Sequence, residues 1–230
     1  MSVNNVSVVL VHGAWADGSS WSKVIGPLRA EGTGVVAAPL PLTSLADDLT
    51  ALERTLERVE GPVVLVGHAY AGAVIGATRN EKVRSLVYVA ALAPDEGETV
   101  ADIFYRAAPH PQAPLLAPDK HGLIWLPDYA FAEAFAQHGS AEEQAVLAAV
   151  QRPIAAVCIG VAVGRPLWKD RPSWFLVAER DRMISPDTQR FMAERIKAKV
   201  RSHPVDHTPG VTAPGIVVDI IRDALRAITN

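Results

Sequence analysis

A single cysteine, Cys158, stands in 230 residues. One thiol closes no intrachain bridge, so a disulfide-stapled fold is excluded, and the expectation is a reducing, cytoplasmic setting. Charge is also sparse. Asp, Glu, Lys and Arg make up 20% of the chain and sum to a formal −3 at pH 7. Without a basic stripe there is no electrostatic footprint for nucleic acid or for an anionic membrane surface. No apolar run reaches the roughly 20 residues that cross a bilayer. No basic stretch followed by an apolar core opens the chain as a secretory signal would. Internal repeats and low-complexity segments are missing too. What is abundant is apolar, with 49% hydrophobic residues, enough for one domain with a substantial core. The partner left by these exclusions is a small molecule, bound by a monomer or a simple oligomer such as a homodimer.

Short β-branched runs alternate with amphipathic helical stretches. Residues 7–12 (SVVLVH) read as a strand buried on both faces. Helical spacing follows over 20–30, then a break at Gly32-Thr33-Gly34 and a strand at 35–38. Residues 44–59 predict an amphipathic helix, with Ser44 as N-cap and Gly61-Pro62 beyond its end. Strands are expected at 63–66 and 83–90. After Pro94 the rhythm changes. Seven prolines (Pro109, Pro111, Pro114, Pro118, Pro127, Pro153 and Pro166) and three expected helices, at 99–107, 128–138 and 141–150, read as an inserted helical cap. The alternation then resumes with a strand at 173–178, a helix at 186–196, a strand near 200–205 and a closing helix at 214–228. Repeated β-α units predict an α/β, doubly wound, mainly parallel sheet. The single domain 1–230 would have its core at about 5–95 and 172–228 and its cap at about 96–171.

In such sheets ligands bind outside the carboxyl ends of the strands. That rule selects four turns: His12-Gly13-Ala14-Trp15, Gly67 to Gly72, Glu179 to Asp181, and Asp206 to Thr208. Acyl transfer needs a nucleophile, a histidine to move its proton, a carboxylate to orient that histidine, and donors for the oxyanion. Asp181 and His207 supply the acid and the histidine. The turn Gly67-His68-Ala69-Tyr70-Ala71 lies between a strand and a small-residue helix, where a nucleophile would sit on a G-x-S-x-G elbow. Its apex is Ala69, and a methyl group cannot attack a carbonyl.

Taken together, HGAWADGSSW (12–21), GHAYAGAVI (67–75), AERDRMISP (178–186) and DHTPGVTAP (206–214) resemble the α/β-hydrolase superfamily. The nearer likeness is to the branch of small plant hydroxynitrile lyases and methyl-ester esterases. The resemblance implies Asp181 as triad acid and His207 as base. It places the oxyanion donors at the backbone N–H groups of Ala14 and Tyr70. It puts His12, Gly13, Trp15 and His68 at the substrate pocket, and it calls for no metal or organic cofactor. Ala69 holds the nucleophile position, and Ala71 replaces a common glycine.

Competing readings remain. A metal shared by His12, His68 and His207 is one such reading, yet no short-range ligand spacing supports zinc. A surface acid between two arginines is the competing reading of Asp181, and His203 competes with His207. Trp15, Trp125 and Trp168 are candidates for the pocket wall or for the core. Cys158 reads as a buried hydrophobe. For function, three alternatives stand open. The first is an engineered knock-out of a serine esterase, and the second a natural enzyme running serine-free general-base hydrolysis or hydroxynitrile-lyase-type cleavage. The third is a non-catalytic binder of small ligands. The substrate expected in the enzymatic cases is small, mostly apolar and ester-like.

Overall fold

In the computed structural model, which describes residues 6–229, the β-branched runs become strands β1 (Ser7–Val11), β2 (Gly34–Ala38), β3 (Val63–His68), β4 (Val83–Val89), β5 (Ser173–Ala178) and β6 (Lys199–His203). All pair in parallel, in the order β2-β1-β3-β4-β5-β6. The inner strands β3 and β5 are buried along their whole length, which requires apolar residues on both faces. Strand β6 (KVRSH) lies at the edge and is partly exposed, and its lysine and arginine discourage pairing with another chain.

The principal helices are α1 (Ser22–Ala30), α2 (Leu45–Glu57), α3 (Ala71–Ala77), α4 (Ala141–Val150), α5 (Pro186–Arg195) and α6 (Pro214–Thr229). Alternate strand residues feed two cores. Val8, Leu10, Val64, Val66, Trp174 and Leu176 pack with Val24 and Leu28 of α1 and Ile220 and Ile221 of α6. Val9, Val11, Leu65, Tyr88, Phe175 and Val177 pack with α2, α3 and α5 on the other face. This is the doubly wound, mainly parallel sheet that the alternation predicts. The Ser44 hydroxyl accepts the Asp47 N–H at 3.0 Å, capping α2 as its sequence requires.

From β1 the chain steps outward to β2 and then crosses back to β3 on the opposite side of β1. The order of strands therefore reverses between β1 and β3, and Val11 lies in register with Gly67. The turns after these two strands, which hold Gly13-Ala14 and Ala69-Tyr70, meet at this crevice, the usual ligand position in such sheets.

Between β4 and β5 lies the segment expected to form the cap. Only α4 matches its expected bounds. The helix expected at 99–107 starts on a capping box of Thr99 and Asp102 but spans only Val100–Phe104. Pro109, Pro111, Pro114 and Pro118 then remove donors and deny it continuation. The helix expected at 128–138 becomes a turn at Asp128–Ala130 and a π-helical turn at Phe131–Phe135. A pair of two-residue strands, Leu123–Ile124 and Ile154–Ala155, joins the cap antiparallel, too short to leave an alternation in the sequence. Among the described residues no helix is long and apolar enough to cross a membrane.

Candidate active site

The turn after β3 has the sharp backbone expected of an elbow, with Ala69 at its apex. Ala69 has φ +49, a left-handed conformation that costs an L-residue roughly 1–2 kcal/mol. Its carbonyl accepts the N–H groups of Gly72 at 3.1 Å and Leu92 at 2.9 Å, which hold the strained residue in place. Two glycines are sterically required. A Cβ at Gly67 would lie 2.9 Å from the Ala71 carbonyl oxygen, and one at Gly72 only 2.3 Å from that of Leu92. Gly13 brings the turn after β1 against the elbow, since a Cβ there would stand 2.9 Å from the Ala69 methyl. Ala71, wholly buried, opens α3 without disturbance.

Asp181 and His207 meet at the other end of the crevice. The Nδ1 of His207 lies 2.8 Å from Asp181 Oδ2, with both residues buried. A carboxylate only accepts hydrogen bonds, so this contact puts the imidazole proton on Nδ1 and leaves Nε2 with its lone pair. Asp181 accepts three further bonds: the Met183 and Ile184 N–H groups on Oδ1 at 2.7 and 2.9 Å, and Gln189 Nε2 on Oδ2 at 2.7 Å. Four donors converge on one anion, and all its oxygens are occupied. The sequence reading did not single out Gln189. Its sign was a polar residue one turn into α5 on the inward face, where it also receives the Ala178 N–H and donates to the Ile184 carbonyl. His203 sits half-exposed at the end of β6, away from this arrangement.

His12 and His68 are locked behind the crevice. His12 donates from Nδ1 to the Gly13 carbonyl and accepts the Leu40 N–H on Nε2, and burial lowers its pKa. His68 donates from Nε2 to the His207 carbonyl at 2.7 Å. Burial, helped by neighbouring His207, pushes its pKa down to about 3. Among the described residues no group of three His, Cys, Asp or Glu side chains is placed to hold a metal.

Tyr70 directs its hydroxyl into Asp48 Oδ2 at 2.8 Å, while Asp48 Oδ1 takes the Leu42 N–H at 2.7 Å. Burial raises the Asp48 carboxyl, and Cys158, buried with its sulfur 4.0 Å from Asp48, is pushed up to about 12. The backbone N–H groups of Ala14 and Tyr70 have no protein acceptor among the described residues. Both residues line one cavity together with Trp15, Ala69 and His207. The rest of its wall is apolar, with Val100, Phe104, Leu116, Ile124, Ile154 and Met183 among the contributors.

Trp15 therefore stands in the wall, anchored by its indole N–H to the Ile124 carbonyl at 2.9 Å. His12, Gly13 and His68, expected at the pocket, lie beneath its floor, because their ring and backbone atoms are spent on the turns. Trp125 is 49% exposed, and Trp168 bonds the Pro94 carbonyl on another face; neither lines the cavity.

The π-helical turn explains its own irregularity. Arg182 donates to the Glu133 carbonyl at 2.6 Å, Gln137 to the Arg180 carbonyl at 2.7 Å, and the Thr208 hydroxyl to the Phe135 carbonyl. The His138 N–H bonds Asp206 at 2.9 Å, and the Phe135 ring lies 5.2 Å from that of His207. One cap segment thus grips the neighbours of both Asp181 and His207. A regular helix could not turn its carbonyls toward both loops, and π-turns are frequent at functional sites for this kind of reason.

Comparison with known proteins gives the same family. The family model described as "Alpha/beta hydrolase family" matches residues 8–220. A carbendazim hydrolyzing esterase of Nocardioides sp. (strain SG-4G) is 32% identical over 116 residues, 44% of this chain and 48% of that protein. The match thus spans about half the length of that curated relative. A mutant of polyneuridine aldehyde esterase superposes with a TM-score of 0.82 at 17% identity, covering 95% of this chain and 99% of the other. A mutant of tomato methylketone synthase I gives 0.81 at 19%, covering 97% and 99%. At such identities the likeness is one of fold, while the family model runs from β1 into α6 across both halves of the crevice. The chain belongs to the alpha/beta hydrolase family.

Proposed function

We propose that this chain is an esterase-like enzyme in which His207, oriented by Asp181, moves a proton on a small, mostly apolar ester-like substrate without an acyl-enzyme at position 69. One observation carries the reading: the dyad is complete and fully hydrogen-bonded at the edge of an apolar cavity whose floor is the Ala69 methyl. In hydrolysis, Nε2 of His207 takes a proton from water as its oxygen bonds to the ester carbonyl carbon. The resulting oxyanion is received by the N–H groups of Ala14 and Tyr70. Collapse breaks the carbon–alkoxide bond, and the proton held by His207 goes to the departing alcohol. Asp181 keeps the imidazole in the required tautomer throughout.

A second reading uses the same groups for lyase-like cleavage, with His207 taking a proton from a substrate hydroxyl or carbon acid. The feature in its favour is again Ala69. None of the remaining groups needs a nucleophile there, and a methyl leaves room for a substrate atom.

The deciding experiment compares hydrolysis of a short p-nitrophenyl ester by this chain, by Ala69→Ser and by His207→Ala. Turnover by the parent that disappears with His207→Ala, and that serine does not improve, supports serine-free chemistry. A silent parent with a burst of product from Ala69→Ser overturns it. The site would then be an acyl-transfer site halted at one atom, a loss on the order of 10⁶ in kcat.

A further inference from the structure

A second cavity abuts the first. It is walled by the segment from Phe104 to Leu116, closed at its inner end by Met183 and Ser185, and shares Phe104, Tyr105, Leu116 and Met183 with the cavity that holds His207. The partition between them is made of side chains, one of them an unbranched methionine that repacks easily.

We infer that this outer cavity is a second substrate subsite for an uncharged apolar tail. The substrate is then an elongated ester-like molecule with a compact reacting end. The inference rests on the reading given under Proposed function for the inner site. Size is the first argument. The inner cavity measures about 50 Å³, roughly four water-sized spheres at about 10–15 Å³ each. That is little more than a reacting ester group itself. The outer cavity, about 110 Å³, adds room for a tail beyond the reacting end.

Chemistry is the second argument. The outer wall is built of alanine, proline, leucine, methionine and aromatic side chains, with Tyr105, His110 and Ser185 bearing its polar atoms and no lysine, arginine, aspartate or glutamate. The nearby Arg106 is stacked on the Phe191 ring at 3.8 Å and does not belong to the lining. An anionic or cationic tail would find no counter-charge, whereas an alkyl chain or a ring would cover Leu115, which is 90% exposed at the rim.

The wall is also preformed. Pro109, Pro111 and Pro114 fix three φ angles. The turn between them is tied by the Ala113 N–H to the His110 carbonyl at 2.8 Å and by the Gln112 N–H to the His110 ring at 3.1 Å. A wall already ordered loses little entropy when a tail binds.

The test uses unreactive ester mimics, N-alkyl acetamides from methyl to octyl, with binding followed by tryptophan fluorescence, to which Trp15 in the inner wall contributes. Affinity should rise about fourfold per methylene once the chain passes the partition. Ala107→Trp and Ala113→Trp, each in the outer wall, should erase that increase and leave the methyl and ethyl amides unchanged. Retained short-amide binding also shows that the variants are folded. A flat or unresponsive series in the parent overturns the inference, as does a rise that neither tryptophan reduces. Because no turnover is needed, a failure of the catalytic reading shows separately, as a parent silent in ester hydrolysis, with or without a burst from Ala69→Ser.

Discussion

Asp181→Asn changes one atom, and the structure says where the damage falls. Asparagine must place an oxygen and an NH2 where two acceptors stood. If the NH2 takes the Oδ1 side it faces the Met183 and Ile184 N–H groups, neither of which can turn away. It therefore takes the Oδ2 side, opposite Gln189 Nε2 and His207 Nδ1. Gln189 cannot flip, because its oxygen receives the Ala178 N–H and its nitrogen also serves the Ile184 carbonyl. His207 can adapt by moving its proton to Nε2 and accepting from the new NH2. One opposed donor remains, a loss of about 1–3 kcal/mol in stability. The flipped imidazole then offers the cavity a proton where a lone pair stood, a change worth about 10⁴ in kcat where a histidine must act as base. Two measurements check this without assuming turnover. Long-range 15N–1H correlations should show Nδ1–H in the parent and Nε2–H in the variant, and urea unfolding should show the loss. An Nδ1–H imidazole in the variant, with an unchanged unfolding midpoint, would refute the reasoning.

Two further outcomes follow from buried groups. His68 is held neutral, its pKa about 3 folded against about 6.5 in an unfolded chain. The unfolded state therefore binds more protons as pH falls, and stability present above pH 6.5 is lost on the way down toward 3. At pH 4.5 the loss from this residue is about 2.7 kcal/mol. His68→Gln keeps a donor for the His207 carbonyl and should lose that much less between pH 7 and 4.5 in urea titrations; equal losses in both proteins contradict the assignment. Gly72→Ala would drive a methyl to 2.3 Å from the Leu92 oxygen and should destabilise by about 3 kcal/mol. Gly26→Ala, inside α1 with nothing within 4 Å, should stabilise by up to about 1 kcal/mol. Similar melting temperatures for these two variants would show that the elbow is not as tightly packed as described.

The sheet was legible because buried parallel strands leave continuous apolar runs, and residues such as Val63 to Val66 carry that signal without help from distant contacts. The contact between Asp181 and His207 was legible through position, as each follows a strand in the order the elbow leads. The cap was not. Its second helix was expected to run on through His138, but Arg182 and Thr208 draw its Glu133 and Phe135 carbonyls toward the site loops, and no local propensity records a tertiary pull. The sequence reading also set His12 and His68 at the substrate. A histidine at the end of a strand looks alike in sequence whether its ring faces a ligand or a neighbouring carbonyl, and here both face carbonyls or amides.

The energetics of position 69 bear on whether this site is a relic. An alanine at φ +49 stabilises nothing, and it remains because Gly67 and Gly72 make room and two N–H groups clamp its carbonyl. Asp181 is likewise a charge taken from water, tolerable only because four donors surround it. Neither feature is needed to close a sheet or fill a core, and a simple binding pocket would function with a relaxed turn and an apolar residue in place of Asp181. Both are arrangements that matter when a proton moves and negative charge develops on a substrate oxygen. The residues that would do this, His207, Ala14 and Tyr70, line one cavity. That convergence is what the proposed proton transfer by His207 requires, and a purely binding pocket would not need it.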